Sequence, residues 1–383
     1  MHILSVVGTR PEAIKMAPLV LALRRHPHIR HTLCTSGQHT HMLTPILELF
    51  GLVPDVSLDV MHQGQTLNTL AARVMQGMDR VLADASPDYV LVHGDTTTAM
   101  AAAMAAFQAR YPVAHVEAGL RTGNLGQPYP EEMNRRVIDA LSALMFAPTQ
   151  AARDNLVAEN LTGKYWVTGN TIIDALAHAC DILDQSASLA QPIERRFAFL
   201  DPARQTVLVT GHRRENFGIG LANICAALAE LARDPAVQIV YPVHLNAQVR
   251  EPVLRYLGGI DNIHLIEPAD YLTFIWLMRR ADLILTDSGG VQEEAPYLQK
   301  PVLVMRDITE RPEAIANGTA RLIGTDAGRI VCEARALLDD PQLYRPTPSR
   351  RSPYGDGKAS SRIIAALTGV AVDEFSVLEH ATV

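Results

Sequence analysis

The 383-residue chain is poor in the features that nucleic acids, disulfides and membranes call for. Aromatic residues make up only 5% of it, so stacking platforms for unpaired bases are lacking. Positive charge is short too. There are 34 Lys and Arg against 41 Asp and Glu, a formal net charge of −7, which argues against a nucleic-acid or anionic-membrane partner. A phosphate-bearing ligand must therefore meet a local cluster of cations. The four cysteines, Cys34, Cys180, Cys225 and Cys332, stand far apart with no C-x-x-C pair, which suits a reducing compartment and excludes a zinc-ribbon spacing. The longest Ala/Met-rich run, residues 99–106, is too short to span a bilayer. The first residues lack the basic start and length of a signal peptide, so a cytoplasmic protein is expected.

Cofactor signatures are missing as well. The first strand-like run ends in Gly8-Thr9-Arg10-Pro11-Glu12, with one glycine where a nicotinamide-binding turn has three. Lys358 is followed by Ala359, so no phosphate-binding P-loop forms there. Thr286-Asp287-Ser288-Gly289-Gly290 lacks the leading glycine of a hydrolase nucleophile elbow. No H-E-x-x-H occurs, and His26, His28 and His31 cluster at a solvated helix end. Neither a metal nor a redox cofactor is expected.

What the chain does have is length for two or three domains and, at 48% hydrophobic residues, apolar mass for two sizeable cores. Short β-branched runs alternate with helix-period segments throughout. Residues 3–7, 32–35, 89–93 and 113–116 read as buried parallel strands, with helices over 12–25, 67–83, 98–109 and 132–144. The pattern repeats with strands over 206–210, 238–241, 264–266, 283–286 and 301–304, and helices over 221–231, 271–279 and 292–298. This alternation means α/β, doubly wound layers. The polar, Pro-containing stretch 184–204 separates two strand-rich halves, and a hinge is expected near residues 167–170, giving two domains whose strands present their carboxyl ends to a ligand cleft.

Candidate chemistry sits where strands end. Arg10 and Lys15 stand beside a helix N-terminus that Thr9 and Glu12 cap as a capping box, a combination that makes an anion site. Ser288, Gly289 and Gly290 open a second helix and let a phosphate approach the backbone, while Glu294 one turn in can accept the hydroxyls of a ribose. Asp95, Glu117 and Glu131 follow strand ends in the first half. Asp95 also fits a helix cap and Glu131 a first-turn carboxylate, whereas an apolar strand delivers Glu117 straight to the rim. Converging acids suit proton transfer. His212, in Gly211-His212-Arg213-Arg214, suits a general acid or a phosphate donor, and Arg311 a diphosphate clamp.

Taken together, the segments GTRPEAIKMAPL (8–19), HGDTTT (93–98), HVEAGLRT (115–122), PEEMNR (130–135), GHRREN (211–216), DSGGVQEEAP (287–296) and YGDGK (354–358) closely resemble the non-hydrolysing UDP-N-acetylglucosamine 2-epimerases. The resemblance implies a GT-B fold of two Rossmann-like domains around a cleft: residues 1–168 and 169–358, with a C-terminal helix over 359–375 packing back on the first. It implies a homodimer through the first domain, and interconversion of UDP-GlcNAc and UDP-ManNAc for cell-surface polysaccharide synthesis, without cofactor. By match of motifs, Arg10, Lys15, His212, Phe274, Ser288, Gly289, Gly290, Glu294 and Arg311 become nucleotide-sugar contacts. Asp95, Glu117 and Glu131 become the catalytic acids, with His212 near the diphosphate. Some relatives bind a second substrate molecule as activator through glutamines; here only Gln38 of that set remains, with His41 and Pro45 at the later positions, so a hyperbolic rate curve is expected. The alternatives are a hydrolysing epimerase that releases free ManNAc, a GT-B glycosyltransferase, or a non-catalytic nucleotide-sugar sensor.

Overall fold

The computed structural model describes residues 1–37, 40–62, 64–309, 311–344 and 352–377, less the side chains of residues 40–42. The chain forms two compact units, Met1–Ala175 with Tyr354–Ser376, and Leu176–Pro353. In the first, strands and helices alternate: β1 (His2–Val7), α1 (Arg10–Arg25), β2 (Arg30–Thr35), α2 (Thr40–Leu49), β3 (Val56–Ser57), α3 (Leu67–Ala85), β4 (Tyr89–His93), α4 (Thr97–Gln108), β5 (Val113–Val116), α5 (Glu131–Leu141), β6 (Ser142–Ala147), α6 (Gln150–Ala158) and β7 (Lys164–Val167). The seven strands pair in parallel in the order β3-β2-β1-β4-β5-β6-β7. β1 and β5 are buried along their whole length and apolar at most positions, as strands covered on both faces must be. α4 is capped by Thr96, whose hydroxyl accepts from the Ala99 amide, and its buried alanines let it pack closely against α3 and α5.

α7 (Thr171–Gln185) carries the chain onward. The second unit contains α8 (Ala187–Arg196), β8 (Gln205–Thr210), α9 (Ile219–Leu231), β9 (Val237–Pro242), α10 (Ala247–Leu257), β10 (Ile263–Ile266), α11 (Tyr271–Arg280), β11 (Leu283–Thr286), α12 (Gly289–Glu294), β12 (Val302–Val304), α13 (Pro312–Ala316), β13 (Ala320–Leu322) and α14 (Ala327–Asp339). Its six strands pair in parallel in the order β10-β9-β8-β11-β12-β13. Each sheet thus reverses its winding once, between β1 and β4 and between β8 and β11. Ligands of doubly wound sheets bind outside the strand ends at such reversals. Among the described residues no helix is long and apolar enough to cross a membrane.

Three expected elements need correction. The helix expected over residues 132–144 stops at Leu141, and Ser142–Ala147 forms β6. A short apolar run looks alike in a buried strand and a buried helix, and no glycine or proline marks the change. The polar stretch from Asp184 to Arg204, expected only to separate the two halves, contains α8. The C-terminal helix, expected over 359–375, is α15 (Ala359–Leu367). It ends because Gly369 turns left-handed (φ 74°), with its own amide donating to the Ala366 carbonyl and that of Val370 to Ala365.

α15 packs on α1 and is clasped through its first residues. Its Ala359 and Ser360 amides donate to the Asp174 carboxylate at 3.1 and 2.7 Å. Arg362 grips Asp356 with two bonds, at 2.6 and 2.8 Å, and donates to the carbonyls of Thr168 and Asp373. Replacing Arg362 by Ala strands these acceptors, so Arg362→Ala should cost roughly 2–4 kcal/mol. Urea unfolding read by Trp166 in a Trp276→Phe background checks this; a loss below about 0.5 kcal/mol, as for an ordinary surface change, contradicts it.

Candidate active site

In the first unit the site is built on the ends of β1, β4 and β5. Gly8 closes β1, and a Cβ there would lie 2.6 Å from Ser36 Oγ and 2.7 Å from Thr98 Oγ1, so only glycine fits. Glu12 completes the capping box of α1 and accepts from the amides of Gly8 and Thr9 at 2.9 and 2.6 Å. Its other oxygen accepts from the Thr96 hydroxyl at 2.7 Å, tying the starts of α1 and α4 together. Burial raises the Glu12 carboxyl above its usual range, against the pull of these bonds. Arg10 and Lys15 follow in the first turns of α1.

Glu117 leaves β5 with a left-handed backbone (φ 69°), and its amide and that of Ala118 both donate to the Phe146 carbonyl. Its carboxylate pairs with the Lys15 ammonium. The same oxygen accepts from Asn170 Nδ2 at 2.8 Å and lies 3.9 Å from Nε2 of His93, which makes no hydrogen bond. Burial drives the His93 imidazole down to about 3, although Glu117 pulls the other way, so the ring is neutral. Asp95 follows β4, accepts from Arg135 Nη2 at 2.6 Å, and is held through its carbonyl by Asn134 at 2.8 Å. Glu131 begins α5, with Oε2 buried and without a hydrogen-bond partner. Arg10, Lys15, His93, Asp95, Glu117 and Glu131 line one cavity of about 460 Å³. A larger hollow of about 900 Å³ lies at the opposite ends of β4–β7, but no acid or histidine lines it.

In the second unit the site sits at the ends of β8 and β11. Asp287, wholly buried, accepts from the amides of His212 and Arg213 at 2.9 and 2.8 Å and from Asn216 Nδ2 at 3.2 Å. It thereby shapes the loop that presents His212. The His212 ring stacks on His244, with centroids 5.6 Å apart. Burial lowers its pKa from the ordinary value, opposed by Asp287. Ser288 stands at the N-cap position of α12, whose first residues are Gly289 and Gly290. Glu294, buried, accepts from the Tyr271 hydroxyl at 3.0 Å, and Phe274 is half-buried one turn further along α11. Arg311 donates to Glu293 at 2.6 Å.

Each unit therefore gathers its share of the expected residues at its winding reversal. The sequence reading missed Asn170 and Arg135, which hold Glu117 and Asp95, and His93 beside them. Arg135 and His93 lay inside quoted motifs; Asn170 stood in the expected hinge with nothing to link it to Glu117. Of the activator positions, Gln38 and the His41 side chain lie outside the described residues, and Pro45 sits inside α2. Among the described residues no group of His, Cys, Asp and Glu could hold a metal ion.

Two Rossmann-like units with phosphate-type turns at their reversals define a protein of the GT-B class. It belongs to the UDP-N-acetylglucosamine 2-epimerase family, whose model matches residues 21–368. The chain is 54% identical over 369 residues to the UDP-N-acetylglucosamine 2-epimerase of Salmonella typhimurium, covering 96% of this chain and 98% of that one. It resembles the crystal structure of the Neisseria meningitidis UDP-GlcNAc 2-epimerase bound to UDP-GlcNAc (TM-score 0.88, 45% identity, 96% and 100% covered). The Methanocaldococcus jannaschii enzyme in complex with UDP-GlcNAc and UDP also matches (TM-score 0.79, 32% identity, 96% and 100% covered).

The neutral His93 has a measurable consequence. Its folded-state pKa lies below that of the unfolded chain, so the unfolded state binds the extra proton first; the stability is complete above about pH 6.5 and is lost as pH falls toward 3. From pH 7 to 5 the wild type should lose about 2 kcal/mol more than His93→Gln in urea unfolding. Equal losses in the two proteins would contradict a buried neutral ring.

Proposed function

We propose that this protein interconverts UDP-GlcNAc and UDP-ManNAc by expelling and recapturing UDP. The observation that carries the reading is the convergence of Asp95, Glu117 and Glu131 with Lys15 and Arg10 on one cavity. The C2 hydrogen of an acetamido sugar has no carbonyl carbon beside it, so a carboxylate alone cannot remove it. When the C1–O bond breaks, its electron pair leaves on the β-phosphate and the ring carbon becomes cationic. The neighbouring C2 proton is then acidic; a carboxylate takes it, and its bonding pair forms the C1–C2 double bond of 2-acetamidoglucal. Proton return from the opposite face, with UDP closing again on C1, inverts C2.

On this reading the second unit's Ser288–Gly290 turn, His212 and Arg311 take the diphosphate, and Glu294 takes the ribose. Glu117 is supported as a proton carrier by the ammonium beside it, and Glu131 by lining the same cavity with a buried oxygen that makes no hydrogen bond. The chain is further proposed to work in the cytoplasm as a homodimer joined through its first unit, an extension carried by the family likeness alone.

Incubation with UDP-GlcNAc in deuterium oxide, followed by NMR, should give C2-deuterated UDP-GlcNAc and UDP-ManNAc. Free labelled ManNAc would point instead to hydrolysis, and no label would end the reading. Asp95→Asn and Glu117→Gln should each lower kcat about 100-fold or more; near wild-type turnover in either removes that residue from the proton relay. The rate should rise hyperbolically with UDP-GlcNAc, and a sigmoidal curve would show activation by a second molecule.

A further inference from the structure

Beneath the catalytic loops of the first unit lies a charged group that the chemistry above does not use. His115 stands on β5 and Asp139 on α5, both side chains wholly buried. His115 Nδ1 lies 2.6 Å from Asp139 Oδ1, and Nε2 lies 2.7 Å from the Gly94 carbonyl. With a carboxylate on one side and a carbonyl on the other, both ring nitrogens face acceptors, so the ring links the two. The second Asp139 oxygen accepts from the Gly119 amide at 3.2 Å and from Arg121 Nη1 at 2.8 Å, and Arg121 continues to Glu159 at 2.7 Å. Despite its burial, these partners keep the Asp139 carboxyl below its usual range.

Stability gives no reason for such a group, because well-packed apolar residues hold a core as well as a buried ion pair or better. Its contacts do. Gly94 is the residue before Asp95, and Gly119 comes two after Glu117. All three of Gly94, Glu117 and Gly119 have left-handed backbones, with φ of 67°, 69° and 84°. For Glu117 that conformation costs roughly 1–2 kcal/mol and persists only where its surroundings impose it. Gly119 is gripped from the other side too. Its carbonyl accepts from Asn155 Nδ2 at 2.9 Å, and a Cβ there would lie 2.2 Å from the Ala152 carbonyl.

We infer that His115 and Asp139 are positioning residues: one brace that bonds the Asp95 loop at Gly94 and the Glu117 loop at Gly119, and so fixes the two carboxylates relative to each other. The inference rests on the epimerase reading above, since it assigns the brace to the proton relay of that reaction. It touches no group proposed to bind UDP.

Two cuts test it. His115→Gln keeps a donor near the Gly94 carbonyl and loses Asp139; His115→Asn keeps a donor near Asp139 and loses Gly94. Each is made in the full chain and read separately, so a folding failure in one leaves the other to decide. Because misplacement by about 1 Å costs on the order of 100-fold, kcat for C2 deuterium exchange per folded molecule should fall about 10- to 100-fold. KM for UDP-GlcNAc and the affinity for UDP, measured by calorimetry, should stay within about threefold, and Asp139→Asn should repeat the pattern. A variant with lowered Tm but kcat within about twofold of wild type would make the pair mere packing and overturn the inference, as would a parallel loss of UDP affinity. A wild-type protein that exchanges no deuterium overturns the epimerase reading itself, which these variants do not test.

Discussion

An ammonium held against a carboxylate at the end of a parallel strand, Lys15 on α1 against Glu117 after β5, is the contact on which the first unit's chemistry depends. Neither residue reaches the other unless β1 and β5 flank β4 in register, α1 starts immediately after β1, and Glu117 turns left-handed on leaving its strand. The Glu12 carboxylate fixes the start of α1, and the Phe146 carbonyl catches the two amides that follow β5. Side chains from three other stretches of chain, at positions 15, 93 and 170, then meet around the Glu117 carboxylate. Such an arrangement is strained and charged. It is placed where a reaction would use it, at the rim of a sheet whose interior is almost wholly apolar.

The second unit solves a different problem with the same architecture. Its buried carboxylate, Asp287, is saturated by donors from the 212–216 loop and is therefore a scaffold rather than a reactant. Beside it stand a glycine pair, a serine and two exposed histidines, which suit an anion that binds and is released. One unit thus concentrates acids and the other concentrates donors.

Much of this could be read from residue order. Nine of the thirteen described strands announced themselves by short β-branched runs, whereas β3, β6, β7 and β13 did not, and the strand-end acid at 117 stood out because nothing in a core explains it. Asp95, Glu131 and the Ser288–Gly290 turn stood out less sharply, because a helix cap, a first-turn carboxylate and a tight turn explain them equally well. What stayed hidden was of two kinds. β6 follows α5 with no break signal, since an apolar stretch carries no period that separates strand from helix at that length. Asn170, and Asp139 behind His115, act through contacts across 53 and 24 residues of sequence, which only the folded sheet creates. Motif strings show which residues do chemistry more readily than which residues hold them still.

The central claim is that the bond from C1 to the nucleotide breaks before C2 inverts. UDP-GlcNAc labelled with oxygen-18 in the bridge between C1 and the β-phosphorus tests it most directly. If UDP is expelled and recaptured, the free β-phosphate can rotate, and the label must appear in non-bridging positions at a rate no slower than that of C2 deuterium exchange. Rapid exchange at C2 with the label still confined to the bridge would contradict the account.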